Sequence, residues 1–460
     1  MTGLLRTKAI NADHHLADTG LRRVLGPVDL TLLGIGAIIG AGIFVLTGVA
    51  AATKAWPAIV LSFVVAGFAC AFAAMAYAEL AAAIGGCGSA YGYSYAGLGE
   101  LIAWIIGWDL ILEYAVAVSA VAIGWSAYAN NALQAAGLAL PATLLKGPLE
   151  GGLINLPAAA IVLILGVLLS LGVRQSVRIN AVMVLIKLLA ITVFIAIALS
   201  HVQPANWSPF MPFGWSGVMG GAALVIFAYL GFDAVSTAAE EARDPQRDLP
   251  IGILVSLAVC TVIYILVAGL LTGVVPYATL NVGSPVADVV LRLGYPWGAG
   301  LVAAGAIAGL TTVMLAMYYG LTRVFLAIAR DGLLPPLFAR INPRTQTPVR
   351  VILVSGLLMA AIAGFTPIGD VAELVNIGTL GAFFLVSIGV VVLRYTQPDL
   401  PRPFRTPFSP LVPLLGAVSC LYLMASLPLV TWMRFGLWLA LGLVIYFAWS
   451  RRHSALAGSD

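Results

Sequence analysis

The chain has 460 residues, of which 61% are hydrophobic and 9% charged, with a net charge of +4 and a mean hydropathy of +1.04. Soluble domains run at about 45–50% apolar and about 25% charged, so 19 acidic and 23 basic side chains cannot clothe a globular surface of this length and the chain must meet lipid. The basic residues form no single stripe or arm, which speaks against nucleic acid as a partner.

In chain order, the first 26 residues hold no apolar core of a signal peptide, and the amino terminus is expected to stay in the cytosol. A hydrocarbon core about 30 Å thick needs about 20 apolar residues. Twelve runs meet that need, near 28–53, 57–83, 98–130, 156–173, 179–200, 215–240, 250–275, 297–329, 348–366, 370–394, 409–427 and 431–450. With a cytosolic amino terminus, the inner segments collect 18 of the 23 basic residues. Lys54, Lys146, Arg292 and Arg434 fall outside, and Lys187 lies within a span. That asymmetry predicts a multi-pass protein of the cell membrane with both termini in the cytosol.

The first span reads LLGIGAIIGAGIFVLTGVA and carries Gly34, Gly36, Gly40 and Gly42. Two readings are open: close helix packing through Gly36 and Gly40, or an unwound joint at Gly40-Ala41-Gly42. Unwinding frees N–H groups on one side and C=O groups on the other, which suits a carboxylate and an ammonium group respectively. The sixth span has Gly231 beside aromatic residues and Asp233. The third and eighth spans are unusually long. Two sets of five spans, each with an interrupted first and a long third member, predict an inverted repeat over 28–200 and 215–394, followed by two helices at 409–450. Residues 1–27 and 451–460 are then cytosolic ends.

Between spans, IGGCGSAYGYSYA at 84–96 is expected as a re-entrant or surface loop, Glu79 as a solvated helix end, and EEARDPQRDLP as a hinge and charge clamp. Asp109 and Glu113 share one helix face; without a nucleophile or metal beside them no enzyme is indicated, and Glu113 is expected to line a cavity. Asp233 is open between a structural cap and a substrate-linked role. Lys187 lies too deep to snorkel fully, so it is expected to face the bundle. Its role is open between proton coupling and a permanent internal ion pair or cap. Cys70, Cys87, Cys260 and Cys420 make no CxxC pair, and His14, His15, His201 and His453 lack ligand spacing. Neither metal nor cofactor is expected.

Taken together, GIGAIIGAGIF at 34–44, GWDLILEY at 107–114, FAYLGFDAVSTAAEE at 227–241, DPQRDLP at 244–250 and ARDGLLP at 329–335 are a specific combination. Through them the chain resembles the amino acid-polyamine-organocation superfamily, and within it bacterial relatives of the cationic amino acid transporters. The resemblance implies an all-α membrane protein of 12 helices with a leucine-transporter-type fold, the first and sixth helices being broken. It implies import of a small or medium neutral L-amino acid by proton-coupled symport, with a cationic amino acid or exchange as the alternative. The substrate carboxylate would meet N–H groups of Ala41 and Gly42, and its amino group carbonyls around Ile38, Phe227 and Leu230, with Phe227 as an aromatic gate. Met317 would be an apolar wall, although on the local sequence alone core filling is the favoured reading. Lys187 would supply a cation between the first and eighth helices and carry the proton. Many relatives place Ser or Thr where this chain has Ala41, so carboxylate binding here leans on the backbone. Lipid surrounds the protein; the sequence leaves its oligomeric state and any small single-span accessory subunit undetermined.

Overall fold

A computed structural model describes residues 6–8, 24–84, 89–135, 137–172, 177–345 and 347–457. His14, His15, Arg22, Arg23, Cys87 and Arg174 lie outside the described residues, as do most of the amino-terminal segment and residues 458–460. The described residues form helices and no β-strand, with two isolated bridges at Leu25 to Ala242 and Leu145 to Asn155. An apolar surrounding enforces this, because a peptide group left without a partner in lipid costs several kcal/mol and a helix satisfies its own.

The order is α1 (Pro27–Ile38), α2 (Thr47–Ala50) flanked by π-wound turns Gly42–Leu46 and Ala51–Ala55, α3 (Ile59–Ile84), α4 (Ser89–Gly97), α5 (Glu100–Ala135), α6 (Leu156–Ser170) and α7 (Val177–Leu199). Then follow α8 (Gly214–Val225), 3₁₀ turns Ile226–Tyr229 and Asp233–Glu241, α9 (Pro245–Val274), α10 (Pro285–Arg292), α11 (Pro296–Arg330), α12 (Val349–Phe365), α13 (Ile368–Thr396), α14 (Leu411–Ala425) and α15 (Leu429–Ile445). Among the described residues, eight helical stretches are long and apolar enough to cross a membrane and four shorter ones are apolar. Helix is found at each of the twelve expected positions. The short α10 was not anticipated. Prolines at the first turns of α6, α9, α10 and α11 suit starts where the missing N–H would lack a partner anyway.

Large apolar side chains stand exposed on the outer helices, among them Leu189 on α7, Leu357 on α12, Val418 on α14 and Leu437 on α15. A belt of this kind is a lipid-facing surface. Inside it, α5 and α11, of 36 and 35 residues, each run roughly 50 Å at 1.5 Å per residue and pack against each other at the centre.

Both chain ends meet at one face. Lys8 Nζ donates to Asp331 Oδ1 at 2.8 Å, its backbone N–H donates to the Tyr95 carbonyl at 3.1 Å, and the Ala455 N–H donates to the Asp331 carbonyl at 3.0 Å. Two expectations about this face need correction. The segment expected as a loop at 84–96 is helical from Ser89, and Tyr91, Tyr93 and Tyr95 are buried. The phenols make this possible: Tyr91 donates to Asp331 Oδ2 at 2.8 Å and Tyr95 to Glu100 Oε2 at 3.2 Å, so polar tips are satisfied while the rings pack.

Glu79, expected to be solvated, is 1% exposed. Arg394 forks onto both its oxygens at 3.0 and 2.7 Å, the Thr406 N–H donates to it at 2.7 Å, and Arg402 Nε stands 3.6 Å away. The carboxylate therefore staples α3 to α13 and to the chain leading into α14. The acidic segment after the sixth span acts through backbone as well as charge: the Val24 and Leu25 N–H groups donate to the Glu241 carbonyl at 3.0 Å, and the Arg243 N–H donates to the Leu25 carbonyl at 2.9 Å. The start of α1 is thus tied to the end of the broken sixth span.

Removing one partner of a buried pair costs on the order of 3 kcal/mol. Glu79→Ala is expected to lower the melting temperature of the detergent-solubilised protein by several degrees, and an unchanged melting curve would show the staple to be dispensable.

Candidate functional site between two broken helices

The first span is interrupted at Ile39 and Gly40. α1 ends at Ile38, Ile39 is extended (φ −73°, ψ 100°), and winding resumes at Ala41. The break sits slightly before the expected Gly40-Ala41-Gly42 joint. The sixth span breaks after Tyr229: Leu230 is extended (φ −56°, ψ 134°) and Gly231 has φ +112°. That φ belongs to a region open to glycine and strained for other residues.

The two breaks cross each other at glycines. A Cβ on Gly42 would lie 2.2 Å from the Ala228 Cα, and one on Gly231 would lie 2.8 Å from the Ala37 carbonyl carbon. Each broken segment therefore presses its glycine onto the backbone of the other. The carbonyls freed at the end of α1 find side-chain donors. Lys187 Nζ donates to the Gly36 carbonyl at 2.5 Å, and the Tyr264 hydroxyl lies 2.9 Å from the Ile38 carbonyl and 2.8 Å from the Ala228 carbonyl.

A small hollow lies at the crossing. Ala37, Ile38, Gly40, Ala41 and Gly42 form one wall, Phe227 and Leu230 a second, and Ala117, Val121, Val313 and Met317 the rest. Ile38, Ala41, Gly42, Phe227, Leu230 and Met317, all singled out in the sequence, thus come together around one cavity. Its side-chain lining is apolar, and its polar surface is backbone at the two breaks. The resumed first span is held to α5 by Tyr128, whose hydroxyl donates to the Phe44 carbonyl at 2.7 Å, and Phe232 of the sixth-span break packs with Tyr77 and Phe383 in an aromatic cluster.

Glu113 does not reach the lining. It lies one turn from Ala117 on the same face of α5, buried at 2% exposure, with Asp233 and Asp109 as charged neighbours. Residues 113, 117 and 121 share that face by their spacing of four, so a sequence that places Glu113 near a cavity also points to Ala117 and Val121. Asp233 is held at the sixth-span break: its Oδ1 accepts the Gly231 N–H at 3.2 Å and its Oδ2 the Tyr114 hydroxyl at 3.4 Å. Asp109 packs against Gly378, where a Cβ would fall 2.6 Å from its Oδ1. Among the described residues no cluster of His, Cys, Asp and Glu has metal-holding geometry.

A family model described as amino acid permease matches residues 25–446. The chain belongs to the amino acid permease family. It is 50% identical over 459 residues to the methylthioribose transporter of Bacillus subtilis, covering 99% of this chain and 100% of that one. It is 51% identical over 444 residues to the branched-chain amino acid permease BcaP of the same organism, 95% of each. With cationic amino acid transporter 4, vacuolar, of Arabidopsis thaliana it shares 38% identity over 411 residues, 87% of this chain and 68% of the relative. This permease is accordingly a multi-pass membrane transport protein of the amino acid-polyamine-organocation superfamily.

The glycine crossing makes a sharp expectation. Gly231→Ala places a methyl against the Ala37 backbone and strains φ, so transport and ligand-induced thermal stabilisation are expected to fall at least about tenfold, a cost above 1.4 kcal/mol. Gly300→Ala on α11, where a Cβ meets nothing within 4 Å, is expected to behave as the parent. Equal activity of the two variants would show that the crossing is not needed.

Proposed function

We propose that this permease imports a small or medium neutral L-amino acid together with a proton, exposing the cavity alternately to either side of the cell membrane. The observation that carries the reading is the cavity at the crossed breaks. N–H groups at the start of the resumed helix carry the positive end of a peptide dipole and suit a carboxylate, while carbonyls at the end of α1 suit an ammonium group. The apolar walls of Ala117, Val121, Val313 and Met317 suit an aliphatic side chain, and with no carboxylate among the lining residues a cationic side chain would lack a partner.

Proton coupling is assigned to Lys187, which is fully buried in α7 with its ammonium on the Gly36 carbonyl. Gly36 lies in the last turn of α1, just before the break at Ile39 and Gly40, so occupancy of the cavity and the charge on the lysine act on the same stretch of backbone. The long third helices α5 and α11, the two breaks and the reciprocal glycine contacts support two inverted repeats of five helices with two more at the carboxyl end. The 18 of 23 basic residues that fall in the inner segments of the sequence support a cytosolic position for the face where Lys8 and Ala455 meet Asp331.

A second reading is methylthioribose, the compound named for the relative at 50% identity. The apolar lining accommodates a thiomethyl group, but a ribose has neither the carboxylate nor the ammonium that the two breaks are suited to hold. Uptake into proteoliposomes under an inward-directed proton gradient separates these cases. Labelled alanine or leucine is expected to accumulate and to be displaced by neutral amino acids, not by arginine or methylthioribose. Displacement by arginine alone, or by methylthioribose alone, would replace the proposed substrate. Lys187→Ala is expected to lose gradient-driven accumulation, and full accumulation by that variant would end the assignment of the proton to Lys187.

A further inference from the structure

The Lys187 side chain crosses from α7 to α1 over a third helix. On α11, Gly309 has no side chain, and the lysine stem fills the space: a Cβ built there would lie 2.9 Å from Lys187 Cε, 3.0 Å from Cγ and 3.3 Å from Cδ. All three methylenes are therefore laid on one glycine. Carbon atoms in ordinary contact stand about 3.5–4.0 Å apart, so a methyl at this position requires the stem to move. Lys187 is 0% exposed, which leaves the stem no solvent to swing into. From the other side, Gly36 presses on the same helix, where a Cβ would meet Val184 at 2.9 Å and Asn180 at 3.0 Å. α7 is thus gripped between glycines of α1 and α11, and the ammonium emerges from the grip at the Gly36 carbonyl.

We propose that Gly309 is a positioning residue for Lys187: by giving the stem a flat bed it aims the ammonium at the α1 carbonyl beside the cavity. The inference rests on the proton-coupling reading given above and adds to it a residue whose contribution is the absence of a side chain. The spacing along α11 makes the position consequential. Val313 and Met317 follow Gly309 at intervals of four and line the cavity, so one stripe of α11 carries the lysine bed and the substrate wall. Around the ammonium, α9 contributes the buried thiol of Cys260 as the titratable neighbour. α1 contributes the Gly36 carbonyl and α11 the Gly309 bed, while on α10 Asp288 and Arg292 pair with each other at 2.7 Å.

The test is a cycle of three variants, Gly309→Ala, Lys187→Ala and the double variant, in proteoliposomes and in thermal unfolding. Gly309→Ala is expected to cut gradient-driven accumulation about tenfold and to move the pH of half-maximal uptake lower by about one unit, since an ammonium drawn off its acceptor holds its proton less well. It is also expected to melt earlier than the parent. In the Lys187→Ala background the added methyl has open space, so it should change neither the melting temperature nor the residual exchange. Gly305→Ala, which crowds Ala190 on the same interface with no lysine involved, should lower stability and leave the pH profile in place. A parental pH profile in Gly309→Ala would overturn the proposal, as would the same loss of stability with and without the lysine. If Gly309→Ala does not fold and the double variant does, the contact is upheld; if neither folds, it is overturned. Should Lys187→Ala keep full accumulation, the coupling reading fails, while the stability cycle still reports whether the stem lies on Gly309.

Discussion

The constraint on which this molecule turns is the demand of peptide groups for partners in a medium that offers none. A helix meets that demand along its length, and a break in mid-membrane reopens it at two ends at once. Here the breaks in the first and sixth spans are answered by side chains. The Gly36 carbonyl takes the Lys187 ammonium, the Ile38 carbonyl takes the Tyr264 hydroxyl, and the Gly231 N–H finds Asp233. What remains faces a small apolar hollow. The broken segments approach closely enough to share that hollow because Gly42 and Gly231 let each backbone lie against the other.

Around this crossing the rest of the fold is support. α5 and α11 span the molecule as its longest members and supply the apolar wall. The Glu79 staple holds α3 to α13, and the ties of residues 24 and 25 to residues 241 and 243 bind the start of the first span to the end of the sixth. These backbone ties join segments more than two hundred positions apart into one packed unit.

Much of this was legible in the sequence because lipid imposes a simple rule. Twelve apolar runs could be bounded by charges and prolines, and their positions match the helices to within a few residues. Ile38, Ala41, Gly42, Phe227, Leu230 and Met317 could be named from motifs and prove to surround one cavity. What escaped depended on contacts between distant segments. Glu79 looks like a surface residue until Arg394, more than three hundred positions away, is folded onto it. The tyrosines of α4 look too polar for a packed helix until Asp331 and Glu100 accept their hydroxyls. Glu113 was expected in the lining because its charge drew attention, when its helical neighbours Ala117 and Val121 hold those places. Gly309 gave no signal beyond being a glycine, since its meaning lies in the side chain that rests on it.

Tyr264 leaves one arithmetic remainder. Its hydroxyl stands within bonding range of two carbonyls, on Ile38 and on Ala228, and it owns a single hydrogen. One hydrogen thus serves two oxygens, one on each broken segment of the crossing. A residue of α9 thereby pins both broken segments at a single atom.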